Sequence, residues 1–122
     1  MATIWQQAEE LKDEMVERRR DLHRHPETGW TEFRTASMII GELKKLGYDV
    51  KFGADVIDEK SMMGVPSEAE LADYMQRAIS EGANPELVKK MAGGKTGIVA
   101  TLKTDKPGKT VAFRFDMDCN LS

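Results

Sequence analysis

The chain has 122 residues, a formal net charge of −3 and 32% charged residues. These values fit one small globular domain, and the negative net charge excludes a general electrostatic attraction to nucleic acid. No apolar run approaches the roughly 20 residues that cross a bilayer, and the acidic N-terminus lacks a signal-peptide core. The single cysteine, Cys119, excludes a disulfide framework. We therefore expect a cytoplasmic protein that binds neither membranes nor nucleic acid.

The first half of the chain predicts two helices and a strand. Residues 3–24 form one helix because apolar residues recur with a period near 3.6, at Ile4, Ala8, Leu11, Met15 and Leu22. A second helix over residues 31–46 ends before Gly47 and carries the stripe Phe33, Ala36, Ile40 and Leu43. Residues 48–52 alternate between polar and apolar side chains and predict a short strand.

The second half predicts two more helices and a β-hairpin. Ser67 and Glu70 have capping-box spacing ahead of one helix, and Asn84-Pro85 begins the next. Residues 96–102 and 110–115 are nearly continuous apolar strands on either side of a turn at 105–108, which indicates burial on both faces. The predicted class is α/β, with helices layered on a sheet. Three short strands leave an apolar edge open, so the sheet is expected to be part of a larger one.

Two aspartates, Asp116 and Asp118, follow the last predicted strand. Residues two apart in a strand point to the same side, so both carboxylates are expected at the rim of one pocket. Hard divalent cations bind carboxylate oxygens, although two carboxylates are too few for a closed metal site. The alternative is that these aspartates begin a solvated loop or cap backbone donors.

Four other features could indicate a catalytic or binding site, but a structural interpretation is favoured for each. His23 and His25 are two apart at a helix end, which does not place them on one face as a zinc pair. Cys119 has no base nearby in sequence, so a small buried residue is favoured over a nucleophile. Residues 93–97 lack the full spacing of a phosphate loop. The basic cluster at 18–20 is interleaved with acidic residues, which favours a solvated helix face.

Several segments in order resemble one enzyme family. "RRDLHRHPETGWTEFRTASMIIGELKKLGYDV" (19–50), "GGKTGIVATL" (93–102) and "TVAFRFDMD" (110–118) are similar to the N-terminal signature of the aminoacylase and carboxypeptidase superfamily, the M-twenty metallopeptidases. The intervening segment, residues 56–83, resembles the aminobenzoyl-glutamate hydrolase branch.

The resemblance implies a partial mixed sheet belonging to a zinc-peptidase-like catalytic domain. It implies hydrolysis of the amide bond in N-acyl or N-aroyl amino acids by two divalent ions, zinc or manganese, with a glutamate as general base. Asp118 matches an orienting aspartate behind the metal ligands, and Asp116 borders the same pocket. His23, His25 and Glu27 match a structural signature of the family.

The family's metal ligands and catalytic glutamate are absent from this sequence, because they belong to later segments such as His-x-Cys-Gly-His. Residues 1–122 are therefore expected to be a single, incomplete N-terminal portion of the catalytic domain, without the lid or dimerisation domain. No metal ligand is assigned, and the chain alone is expected to be inactive. The alternative is a stand-alone, truncated binding module that forms homo-oligomers through its open sheet edge.

Overall fold

The computed structural model describes residues 1–120. Within these residues, five helices and two strands follow one another, with single-turn 3-10 helices at Gly53–Asp55 and Glu59–Ser61. The helices are α1 (Ile4–Glu10), α2 (Lys12–Arg24), α3 (Phe33–Lys45), α4 (Glu68–Ser80) and α5 (Pro85–Lys90), and the strands are β1 (Asp49–Phe52) and β2 (Ile98–Thr101). The predicted class, helices layered on a small sheet, is confirmed.

Helix α3 lies at the centre of the core. Its predicted stripe is confirmed, because Phe33, Ala36 and Ile40 are fully buried. Helices α4 and α5 and strands β1 and β2 all contact α3. The buried partners around α3 are Leu71 and Ala78 of α4, Val88 of α5, and Met91 directly after α5. One apolar face of α3 therefore organises most of the fold.

The predicted starts of α4 and α5 are confirmed by their caps. The Ser67 hydroxyl accepts a hydrogen bond from the Glu70 backbone N–H at 3.2 Å. The Asn84 side chain accepts one from the Glu86 N–H at 2.9 Å, and Pro85 occupies the first turn of α5. Each cap satisfies a backbone donor that the first helical turn leaves without a partner.

The predicted hairpin between residues 96–102 and 110–115 is wrong for the part of the chain that the structure describes. Strand β2 pairs with β1, antiparallel, with Phe52 opposite Ile98 and Asp49 opposite Thr101. Residues 110–115 form no strand. Since β1 already lies against α3, it offers β2 a partner whose inner face is half-buried, and this pairing prevails over the turn signal at 105–108. Burial on both faces is also wrong, because Val99 is exposed.

The N-terminal helix differs from its prediction in two ways. It divides at Leu11 into α1 and α2, and neither helix contains a buried residue. Ile4, Leu11 and Met15 of the predicted stripe are exposed, whereas Leu22 near the end of α2 is half-buried. The predicted stripe is therefore not confirmed as a core-facing surface, because the helix is interrupted at Leu11 and Leu22 is only half-buried. The rest of the stripe remains an apolar surface.

Candidate functional site

The turn between α2 and α3 contains a buried carboxylate, that of Glu27. Its two oxygens accept hydrogen bonds from the Arg34 N–H at 2.8 Å, the Thr35 N–H at 2.7 Å and the Thr35 hydroxyl at 2.6 Å. These donors lie in the first turn of α3, where backbone N–H groups lack partners and the helix dipole favours negative charge. Glu27 therefore caps α3 from outside the helix, which explains its place in the signature.

The two histidines do not converge on a common site. His23 is exposed, whereas the His25 Nδ1 atom lies 2.9 Å from the Asp21 carbonyl oxygen and 3.4 Å from its carboxylate. Asp21 in turn accepts two hydrogen bonds of 2.9 Å from the Arg34 guanidinium. The end of α2 is thus fastened to α3, and the hydrogen bond from Arg34 lowers the pKa of Asp21.

Substituting Asp21→Asn should lower the free energy of unfolding by about 1–3 kcal/mol at neutral pH, since it removes a charge-assisted pair. The ordinary pKa of this carboxyl is 3.8 and Arg34 lowers it, so the stabilisation is present above that value and is lost as the pH falls through the lowered pKa. Urea unfolding measured at several pH values should show the difference between variant and parent shrink in acid. A difference that stays constant down to the lowest pH would contradict this, and the exposed Asp73→Asn provides the control.

A second buried carboxylate, Glu32, lies at the other end of the same turn. It accepts a hydrogen bond from the Trp30 N–H at 3.0 Å and another from the Thr96 hydroxyl, just before β2. Burial raises the pKa of Glu32, the Thr96 hydrogen bond opposes that rise, and the negative charge of Asp118 adds to it. Sequence reasoning missed Glu32 and Thr96, because their pairing joins positions 64 residues apart.

The predicted rim residues, Asp116 and Asp118, lie in the irregular segment that follows β2. Asp116 is exposed and pairs with Arg114 at 2.9 Å. Asp118 is also exposed, but its neighbours are held: Met117 packs against the core, and the Cys119 N–H donates to the Glu27 carbonyl at 2.8 Å. The structure thus places Asp118 beside the turn that contains Glu27 and Glu32. That both aspartates form a pocket rim stays a prediction.

Residues 1–120 contain no group of three or more histidine, cysteine, aspartate or glutamate side chains arranged to hold a metal ion. Asp118 acts electrostatically on Glu32, yet these two carboxylates are short of the four ligands that a closed site needs. Cys119 is a free cysteine and is half-buried, not fully buried as predicted.

The remaining sequence features have structural roles. Gly94 has a positive φ of 83°, and a Cβ there would lie 3.0 Å from the Trp30 carbonyl oxygen, so glycine permits this close approach. In the basic cluster, Arg18 pairs with Glu14 at 2.8 Å and with Glu42 at 2.9 Å, which confirms acidic partners on that face. Among the described helices, none is long and apolar enough to span a membrane.

Comparisons with known proteins give close relatives. No protein-family model matches the chain. It is 51% identical over 109 residues to the indole-3-acetyl-aspartic acid hydrolase of Enterobacter agglomerans, a match that covers 89% of this chain and 25% of that protein. It is 43% identical over 118 residues to a p-aminobenzoyl-glutamate hydrolase subunit of Escherichia coli, covering 97% of this chain and 27% of that protein. The chain therefore spans about a quarter of the length of the curated relatives it matches.

A solved structure agrees with the sequence comparison. The aminobenzoyl-glutamate utilization protein from Klebsiella pneumoniae matches with a TM-score of 0.92 and 45% sequence identity. The match covers 97% of this chain and 30% of that one. More distant relatives include the thermostable carboxypeptidase 1 of Saccharolobus solfataricus, at 28% identity over 109 residues. The described fold therefore recurs within a protein about three times as long.

Proposed function

Because the chain belongs, as an N-terminal part, to the amidohydrolase family that includes the aminobenzoyl-glutamate hydrolases, we propose that it contributes to the catalytic domain of such an enzyme. The reaction is hydrolysis of the amide bond in N-acyl or N-aroyl amino acids, of the p-aminobenzoyl-glutamate kind. The observation that carries this proposal is the TM-score of 0.92 at 45% identity over 97% of the chain. Two relatives are named as hydrolases of an aromatic acyl group joined to an acidic amino acid, which supports the substrate class.

The proposed role of this chain within the enzyme is positional. Asp118 and Asp116 border the pocket, and Asp118 orients a neighbouring ligand group through its carboxylate. Two divalent ions, zinc or manganese, are the family's cofactors, and they supply Lewis-acid activation when bound. The side chains described in residues 1–120 do not fit such a pair, so the ligands are proposed to come from segments outside the 122 residues. A cytoplasmic location is proposed with this assignment.

The purified 122-residue chain should not hydrolyse p-aminobenzoyl-glutamate when zinc or manganese is added, because the described residues provide no cluster of three metal-binding side chains. Chromatography that quantifies the released glutamate, with and without a chelator, measures this directly. Added metal should also leave the free energy of unfolding unchanged, since only an ion that binds the folded state stabilises it. Chelator-sensitive turnover by the pure chain would refute the expectation.

A second candidate function is assembly, and exposed apolar side chains favour it. Val111, Phe113 and Phe115 are all more than 70% exposed, and the two phenylalanine rings stack on each other with centroids 6.3 Å apart. Such a segment is suited to adding a strand to a sheet edge, and we propose a second copy of the chain as its partner. The Escherichia coli relative is itself named as one subunit of a hydrolase, which is consistent with an assembly.

Sedimentation measurements over a range of protein concentrations test homo-oligomerisation directly. The parent chain should associate as its concentration rises, whereas Phe113→Lys should stay monomeric over the same range, because a charge opposes burial of that face. Lys109→Arg, a conservative change at another exposed position of the segment, should behave as the parent does. A parent chain that remains monomeric at high concentration would remove this candidate and leave the hydrolase proposal intact.

A further inference from the structure

The segment around Asp118 is attached to the fold at two adjacent points. Every residue from Leu102 to Asp116 is exposed, and burial begins again at Met117, whose side chain packs against the core. Two residues later the Cys119 N–H donates a hydrogen bond of 2.8 Å to the Glu27 carbonyl oxygen. Asp118 lies between these two attachments and is exposed while both neighbours are half-buried. Its carboxylate is therefore presented to the solvent side from a backbone that is fixed on both sides.

Glu27, whose carbonyl oxygen accepts the hydrogen bond from Cys119, is itself held by several hydrogen bonds. The Glu27 carboxylate accepts three hydrogen bonds of 2.6–2.8 Å from the first turn of α3. Helix α3 contributes Phe33, Ala36 and Ile40 to the buried core. A continuous set of contacts thus runs from the core, through the carboxylate and carbonyl of Glu27, to the peptide that follows Asp118. A residue that served only as a helix cap would need the carboxylate alone.

We propose that Glu27 is a positioning residue for Asp118, with its carboxylate fixed by α3 and its carbonyl fixing the Cys119 peptide. The meaning of this role for catalysis rests on the proposed function, but the positioning itself is a property of the 122-residue chain. Glu27, in the "HPETGW" turn, would then position Asp118 as well as stabilise the start of α3. The Asp116–Asp118 segment is then held in place before any substrate arrives.

The test uses Thr35, whose hydroxyl donates to the Glu27 carboxylate. Thr35→Ala removes one of the three hydrogen bonds, Thr35→Ser keeps the hydroxyl, and Glu27→Gln changes the acceptor itself. The readouts are hydrogen exchange of the Cys119 amide and the rate at which its thiol reacts with an aromatic disulfide. Because Cys119 is the only cysteine, the thiol signal has one source. Exchange at the Ile40 amide in α3 reports the opening of the core.

In the parent chain the Cys119 amide should exchange at least about tenfold more slowly than the amides of the exposed residues 103–106 and 108–115, as expected for a closed local unit. Thr35→Ala should accelerate Cys119 exchange and thiol labelling about tenfold, and Thr35→Ser should restore both. If Glu27 served only to cap α3, Thr35→Ala would change the exchange rate of the Ile40 amide and leave the exchange and thiol labelling of Cys119 unaltered. That result, or an unprotected Cys119 in the parent, would overturn the proposal.

Glu27→Gln should accelerate amide exchange and thiol labelling at Cys119, as Thr35→Ala does. If Glu27→Gln does not fold, the comparison of Thr35→Ala with Thr35→Ser decides the outcome. These measurements contain no substrate or metal. A negative result would therefore remove the positioning role without touching the hydrolase assignment. Conversely, a full-length hydrolase that carries this chain and binds its metals, but shows no activity while Cys119 stays well protected, would count against the assignment and leave the positioning role intact.

Discussion

Replacing Glu27 with alanine is expected to lower the free energy of unfolding by about 3 kcal/mol, since it leaves several buried donors without acceptors. The donors are two backbone N–H groups and one hydroxyl at the start of α3. The glutamate side chain is among the few buried charged groups, with 8% of its surface exposed. Helix α3 is the element on which the core is built, so its first turn should fray and weaken the packing of Phe33.

Urea unfolding followed by circular dichroism measures this effect. Glu17→Ala is the matched control, because that side chain is 70% exposed and makes only a surface ion pair with Arg20 at 3.7 Å. The control should change stability by less than about 0.5 kcal/mol. If Glu27→Ala behaved like the control, the capping role of Glu27 would have to be abandoned.

Phe33→Ala should have an equal or larger effect, about 3–5 kcal/mol, because it removes a fully buried aromatic ring and leaves a cavity at the centre of the core. For a small domain with a typical stability of about 5–15 kcal/mol, a loss of this size approaches complete unfolding. Phe33 belongs to α3, which contacts α4, α5, β1 and β2, so a cavity left by this fully buried ring should collapse only partly.

The chain offers a control of the same chemistry. Phe113→Ala removes an identical ring from a side chain that is 79% exposed, and it should change stability by less than about 0.5 kcal/mol in dilute solution. Thermal unfolding of both variants distinguishes the two sites. Equal losses at Phe33 and Phe113 would mean that residues 110–115 are packed in solution and that the described core is incomplete.

The sequence predicts best where local pattern and tertiary environment agree. The stripe of α3 and the caps of α4 and α5 are read correctly, because each depends on residues within one or two helical turns. The apolar stripe predicted over residues 3–24 fails as a guide to burial, because the helix divides at Leu11 and periodicity indicates only that a face is apolar. Whether that face is covered depends on elements elsewhere, and Ile4 and Met15 are exposed in residues 1–120.

The hairpin error has a different cause. The turn cluster at 105–108 indicates a local reversal, yet β2 pairs with β1, about 50 residues earlier in the chain. Long-range pairing is decided by which inner faces are already packed, and β1 is held against α3. The two buried glutamates illustrate the same limit. The resemblance identified Glu27 as structural, whereas the contacts of its carboxylate, and the very existence of the Glu32 pair with Thr96, depend on the fold.

The most direct test of the hydrolase assignment is a chimera. The segment of the indole-3-acetyl-aspartic acid hydrolase that corresponds to this chain, at 51% identity over 109 residues, would be replaced by residues 1–122, so that the chimera includes Asp118. Hydrolysis of indole-3-acetyl-aspartate, measured with and without a chelator, gives the answer. We predict chelator-sensitive activity within about tenfold of the parent enzyme, and a loss of at least about a hundredfold in kcat when Asp118→Asn is added. A chimera that folds and binds its metals but does not hydrolyse the substrate would contradict the assignment.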